Sequence, residues 1–472
     1  MLLRRITLSI CLAAGWLNSS WIAGQTFPAS KPAPLGGNDW PLELVETLDG
    51  RQYQGLIESQ DDYWLRMIRI FRPAGREMYL VIQPVEAAGI ARIERLVPDR
   101  RELLRRRIHE FRSRAVIEAG RMDAVRLSLV ERDGLHFHRY RGRWFELEST
   151  ADEPTTRRII VRTDQVFTAF RQLLPARVEP PRPPRILVLS SMEEYRGVLA
   201  RLGLQIENPA CYLREPNLVV VGSDLARHAA TLAGIESRHR EIRAELDELQ
   251  RALPDRLAAL GTQLRQQGHP RAQATKLLLI ERRKIEDQIA EKQRELDRCD
   301  RENAETFRQI ARRMFVRLYH EAFHAYLENY AYPEAKHRVP MWLNEGLAVL
   351  FSGGLLESET LRVDAPNREA LDWLRADLRG ASPLPLAQLT ELDQRGFLLV
   401  DHVGAAAQRN YVYAWGLTYY LAFERRLLDG PAFEAFVAPS GGTSPTVRLE
   451  TLVGAPLAEF EPAWRTYMTK LR

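Results

Sequence analysis

The sequence predicts an α+β protein: a small N-terminal β-barrel-like domain, then a larger α+β body interrupted by a long antiparallel coiled-coil hairpin. Three observations predict it. Short strand-like segments separated by turn signals fill residues 42–96. Leucines and isoleucines recur at spacings of three and four from Ile242 to Ile310. Strand-like and helix-like runs are mixed on both sides of that repeat. At 472 residues, with 45% hydrophobic and 27% charged types, the chain has room for two or three domains and is too apolar to be disordered. The 67 Lys and Arg face 62 Asp and Glu, a net +5, with bases scattered among acids, so no nucleic-acid partner is expected. Three cysteines exclude a disulfide-rich scaffold and a Cys-only zinc module. Any metal must be held mostly by histidines and carboxylates.

Residues 1–24 read as a secretory signal peptide. Arg4 and Arg5 precede an apolar run, Ile6 to Leu17, and polar and small residues follow it. The run is short for a membrane span; an uncleaved anchor extended through Trp16 to Ala23 is the alternative. The protein is therefore expected to be exported, to the periplasm, cell envelope or outside. Cys211 and Cys299 then stand either as two separate thiols or as a disulfide pair. Residues 25–39, rich in Pro and Gly, form a linker.

The barrel-like unit spans 40–97 and resembles Sm-like or SH3-like barrels. Its expected strands are Leu42–Leu48, Tyr53–Glu58, Trp64–Phe71, Met78–Ile82 and Ile90–Leu96, with Asp49-Gly50 turning the first hairpin. Residues 98–120 are a basic helical linker. Residues 121–234 read as an α+β portion, with strands near Val125–Val130, Leu135–Tyr140, Trp144–Leu147, Ile186–Leu189 and Asn217–Gly222, and helices at Val166–Leu174 and Ser191–Leu202. His136 and His138 alternate onto one face of a strand, without a third ligand in view. The hairpin occupies 235–315. Its first helix carries Ile242, Leu246, Leu249, Leu253, Leu257, Leu260 and Leu264 on one seam, with a kink expected at Pro254. Gly268-His269-Pro270 stops it. A second helix runs from Arg271 to about Asn329, roughly 90 Å at 1.5 Å per residue, and folds back because two helices so briefly connected bury their stripes on each other. Residues 316–472 form the last, helical portion.

That second helix ends in His320-Glu321-Ala322-Phe323-His324. Positions four apart on a helix lie one above the other, so both imidazoles can bind one zinc while Glu321 reaches a water on it. After Pro333 and Pro340 comes Met341-Trp342-Leu343-Asn344-Glu345-Gly346, an apolar helix with a single acid that needs a partner. Glu345 is placed to return as third ligand. Two His and one Glu leave a position open, as catalytic zinc sites do.

HEAFH followed by WLNEG resembles the gluzincin metallopeptidases, and WLNEG is similar to the third-ligand helix of the aminopeptidase branch. The wider run, from about Arg143 to Arg472, resembles exported bacterial peptidase-MA-like domains of unknown function. The resemblance implies Zn²⁺ held by His320, His324 and Glu345, with Glu321 as general base. Tyr411-Val412-Tyr413-Ala414-Trp415-Gly416 is similar to the aminopeptidase Tyr-x-x-Gly, whose tyrosine stabilises the oxyanion; Tyr413 is the matching position, and His402, beside Asp401, is its rival by analogy with the thermolysin branch. The Gly-x-Met-Glu-Asn strand of the aminopeptidases has no counterpart here, which favours endopeptidase over exopeptidase action. The expected function is thus an exported zinc-dependent metallopeptidase acting on a peptide or protein substrate, with the hairpin as an arm for a protein partner. The alternative is a non-catalytic cell-envelope scaffold or binding protein that retains a zinc site.

Overall fold

The structure is a computed structural model that describes residues 40–73, 76–357, 360–398, 405–439 and 441–471. The expected signal peptide and linker, and His402 with Asp401, lie outside the described residues. The architecture is mixed α+β, with the strands gathered ahead of residue 223 except for one later hairpin.

The first unit is an antiparallel sheet of β1 (Glu43–Thr47), β2 (Gln52–Gln60), β3 (Trp64–Phe71), β4 (Tyr79–Glu86) and β5 (Ile90–Glu94), ordered β4-β3-β2-β1-β5. Val45, Ile57, Leu65, Met67 and Val85 fill one face. No ladder joins the edge strands β4 and β5 among the described residues. The basic helix α1 (Pro98–Arg112) is no free linker. Its Leu104 and Ile108 are buried against Leu56 and Ile68 on the other face of the sheet. Arg101 pairs with Glu43 at 3.0 Å, and the fully buried Glu43 also accepts from Ile57 N–H at 2.7 Å.

After α2 (Arg114–Ala124) comes a second sheet of β6 (Ser128–Arg132), β7 (Leu135–Arg141), β8 (Glu146–Ser149), β9 (Arg185–Leu189), β10 (Ala210–Leu213) and β11 (Leu218–Gly222), ordered β10-β11-β9-β8-β7-β6. The β8–β9 and β9–β11 pairs are parallel and the others antiparallel. Parallel pairs need crossovers, supplied here by α3 (Glu153–Leu173) and α4 (Met192–Arg201). Helix α3 is far longer than the expected Val166–Leu174, because Asp152 caps it early by accepting from Thr155 N–H. Edge strand β10 has no counterpart in the sequence reading. One sheet face packs on α4. The other, through Leu147, Ile186, Val188, Val219 and Val221, belongs to the main core.

The arm consists of α5 (Leu225–Gln266) and α6 (Arg271–Tyr326). Helix α5 begins well before the expected Ile235 and continues through Pro254. Gly268, at φ +81°, lets the chain reverse. The pair is antiparallel and its seam is the sequence stripe, with Leu253, Leu264, Ile289 and Leu296 buried. Across the arm, Asp300 bonds His239 at 2.5 Å and Arg243 at 2.7 Å. Cys211 on β10 and Cys299 on α6 are free thiols.

Beyond a π-helical turn at Leu327–Ala331 lie α7 (Met341–Ser352), the hairpin β12 (Leu355–Glu357) and β13 (Thr360–Arg362), then α8 (Arg368–Leu378), α9 (Leu386–Thr390), α10 (Gln394–Leu398), α11 (Ala405–Tyr419), α12 (Gly430–Val437), α13 (Pro445–Val453) and α14 (Leu457–Lys470). The N-terminal sheet is joined to this region by Arg72, whose guanidinium meets Glu357 at 2.9 Å. No helix among the described residues is long and apolar enough to cross a membrane.

Candidate metal centre

Helix α6 must rotate so that its histidines face one way, and an aromatic cluster sets that rotation. Phe323 packs edge-on against Phe170 of α3 at 5.3 Å between ring centroids and stacks on Phe351 of α7 at 5.1 Å. Leu318, Ala322, Phe323 and Tyr326 are buried, so the i, i+4 pair His320 and His324 emerges on the remaining stripe. Helix α7 is apolar nearly all round, which fits a helix enclosed by others; Trp342, Leu343, Leu347, Ala348, Leu350 and Phe351 are all buried. Gly346 lets it sit hard against α11: a Cβ there would lie 2.2 Å from Thr418 Oγ1 and 2.5 Å from the Ala414 carbonyl oxygen. That contact holds the neighbouring Glu345 over the two histidines.

The result is a compact group. One ligand atom from each of His320, His324 and Glu345 lies within 4.8 Å of the others. Glu345 Oε2 is 3.1 Å from His320 Nε2, and Oε1 is 3.6 Å from His324 Nε2. Burial works against charge on Glu345, yet the two imidazoles hold its carboxyl below the usual range. Burial likewise works against charge on His320, but the Glu345 carboxylate beside it, helped by Glu321, raises its pKa. Asn344 Oδ1 lies 2.9 Å from His324 Nδ1, which places the proton on Nδ1 and turns Nε2 toward the group. Sequence reasoning gave Asn344 no role, although it stands in WLNEG directly before Glu345.

These residues fit a divalent metal such as zinc. The donors are two imidazole nitrogens and one carboxylate, and buried Glu345 Oε2 makes no hydrogen bond, its 3.1 Å approach to His320 Nε2 being an ion-pair contact only, a cost that a cation would remove. No such group forms around His136 and His138 among the described residues; His136 is largely exposed, 3.8 Å from Glu131.

Glu321, half-buried beside His320, has neighbours on both sides. Its charge bears on Tyr195 of α4, on Cys211 of edge strand β10 and on Tyr411 of α11. Burial pushes the Cys211 thiol up, against an opposing hydrogen bond from the Tyr195 hydroxyl, and the Glu321 charge adds a smaller upward push.

Tyr413 does not join the group. It is fully buried, donates to Asp377 Oδ2 at 2.5 Å and accepts from Leu384 N–H at 3.1 Å. Its hydroxyl is committed on the far side of α11. Tyr411, two residues earlier and so about 200° round the helix, faces the site instead. Its ring centroid is 6.3 Å from that of His320, and Phe397 packs edge-on against it at 5.2 Å. Burial, then the charges of Glu345 and Glu321, raise its pKa, so it keeps its proton. The matching Tyr-x-x-Gly spacing selected Tyr413. The signal for Tyr411 is helical phase: it shares a stripe with Ala414 and Thr418, the residues that touch Gly346 beside Glu345.

A family model described as "Protein of unknown function (DUF1570)" matches residues 315–431, a stretch containing HEAFH, WLNEG and both tyrosines. No curated protein matches the chain, and no solved structure does.

Proposed function

We propose that the protein is an exported zinc-dependent metallopeptidase of the gluzincin type, acting as an endopeptidase. On this reading the body is a gluzincin-like peptidase domain, the long helical pair is a coiled-coil insertion in it, and the first sheet is a small barrel-like docking module. The observation that carries the proposal is the convergence of His320, His324 and Glu345 within 4.8 Å, with Glu321 next to the first ligand and bound by no hydrogen bond or ion pair among the described residues. A site that served stability alone has no use for a second, unengaged carboxylate.

When bound, zinc would supply a Lewis acid that polarises a peptide carbonyl and makes water a stronger nucleophile near neutral pH. The chain's own residues do the rest. Glu321 accepts a proton at its carboxylate from the attacking water and passes it to the departing amine nitrogen. Tyr411, held protonated, takes the place of Tyr413 as the hydroxyl donor to the carbonyl oxygen as charge develops there. Asn344 keeps His324 in the tautomer that leaves Nε2 free.

The test begins with metal content. Purified wild-type protein should carry about one zinc per chain, and the His320→Ala/His324→Ala double variant none. Glu321→Gln should keep the metal and lose hydrolysis of unstructured peptides by roughly 10²–10⁴-fold. Zinc binding with no hydrolysis by wild type would leave a non-catalytic envelope protein; no zinc after loading would remove both readings.

A further inference from the structure

The distal end of the arm differs from its shaft in two respects. Along residues 225–315 the large apolar side chains exposed among the described residues are Leu277 at 38%, Leu279 at 61% and Ile280 at 54%. They sit close to the reversal at Gly268, while their neighbour Leu278 faces α5, in reach of Gly261. The charge is also concentrated there. Residues 258–284 hold six bases, Arg265, Arg271, Lys276, Arg282, Arg283 and Lys284, against one acid, Glu281. Residues 225–257 hold six of each sign, and 285–314 hold seven bases and eight acids. The excess at the tip thus equals the +5 of the whole chain. At 100° per residue Lys276, Arg283 and Lys284 fall on the same outward arc of α6 as Leu277 and Ile280, and all three are exposed.

We infer that this tip is a docking surface for a bilayer carrying anionic headgroups. An exposed arc of aliphatic side chains interleaved with long basic ones matches the interfacial layer: Leu and Ile enter the acyl boundary while Lys and Arg stems extend back to phosphates. A second copy fits poorly. Three side chains on little more than one turn fall far short of the roughly 1,200 Å² that stable interfaces bury, and two such tips repel. A nucleic acid would engage the bases but leave the aliphatic residues without a partner. The contact is an interfacial one, made by side chains at the arm's tip; none of the described helices is long and apolar enough to cross a membrane.

The experiment is flotation of the full chain with vesicles of phosphatidylcholine alone or mixed with phosphatidylglycerol. It compares wild type with Leu279→Asp/Ile280→Asp and with Lys276→Glu/Arg283→Glu/Lys284→Glu. All changes are at exposed sites, and circular dichroism checks that the helices persist. Wild type should float with the mixed vesicles and release in high salt, and each variant should bind about tenfold less or weaker. Equal flotation of all three proteins would overturn the inference, placing the lipid contact elsewhere in the chain. Equal wild-type binding to both vesicle types, or to neither, would overturn it too, as would a wild-type dimer that both variants dissociate. The readout needs no peptidase activity, so it stands or falls apart from the proposed function.

Discussion

Tyr411 and Tyr413 are a matched pair for experiment, because they lie on one helix and face opposite ways. Tyr411→Phe should keep zinc and fold but lower turnover roughly a hundredfold, the cost of losing one donor to a developing oxyanion. Tyr413→Phe should leave turnover of the folded protein alone. It strips Asp377 of a donor and Leu384 N–H of its acceptor in a buried site, at about 1–3 kcal/mol of stability. Peptide kinetics beside denaturant melts separate the two. Asn344→Ala should weaken metal affinity by about 10–100-fold, read by chelator competition. At this scale the cluster was legible, since His320, His324 and Glu345, which converge in the structure, stand in strings whose spacing has a direct geometric meaning. The tyrosine was not, because a four-residue motif fixes a position along the chain but not which side of α11 meets α7.

Helix α7 depends on α11, and the contact is backbone-tight. Gly346→Ala puts a methyl group against Thr418 Oγ1 and the Ala414 carbonyl, so it should cost about 1–3 kcal/mol and weaken zinc binding by displacing Glu345. Melting and metal titration of one sample check both. In the second sheet, Glu148 of β8 is nearly buried and gathers Arg132 at 2.8 Å and Arg139 at 2.7 Å. Burial pushes its pKa up, but the two arginines outweigh that and hold it below the ordinary 4.5. Its contribution is therefore present above that value and lost as pH falls through the lower folded pKa. Glu148→Gln should be less stable than wild type at neutral pH, and the gap should close in acid, seen in melts across that range. Elements with strong periodicity were readable: β3 and the apolar seam of α5 and α6 fall where the pattern put them. Strand β10 was not, because Ala210–Leu213 is too short and mixed to alternate visibly; its pairing to β11 defines it.

Across the whole molecule, contacts between distant parts of the chain are what the sequence hides most. Arg72, Glu357 and Arg362 form a part-buried ion-pair cluster between residues 285 positions apart. It fastens the first sheet to the hairpin that follows the Glu345 helix. A double-mutant cycle of Arg72→Ala and Glu357→Gln, measured by denaturant unfolding, should give a coupling of about 0.5–3 kcal/mol. A freely tethered N-terminal sheet would give none. No local pattern announces such a joint, whereas the arm was legible because its helices are long and pair with their neighbour in the chain. Helix α6 carries a consequence of its own. It is one uninterrupted helix from Arg271 to Tyr326, and its 1.5 Å rise fixes the axial spacing of its residues. From Ile280 to His320 that spacing is roughly 60 Å. The helix is thus a ruler: on the docking and peptidase readings proposed above, the aliphatic tip and the two histidines stay that far apart along one rigid axis.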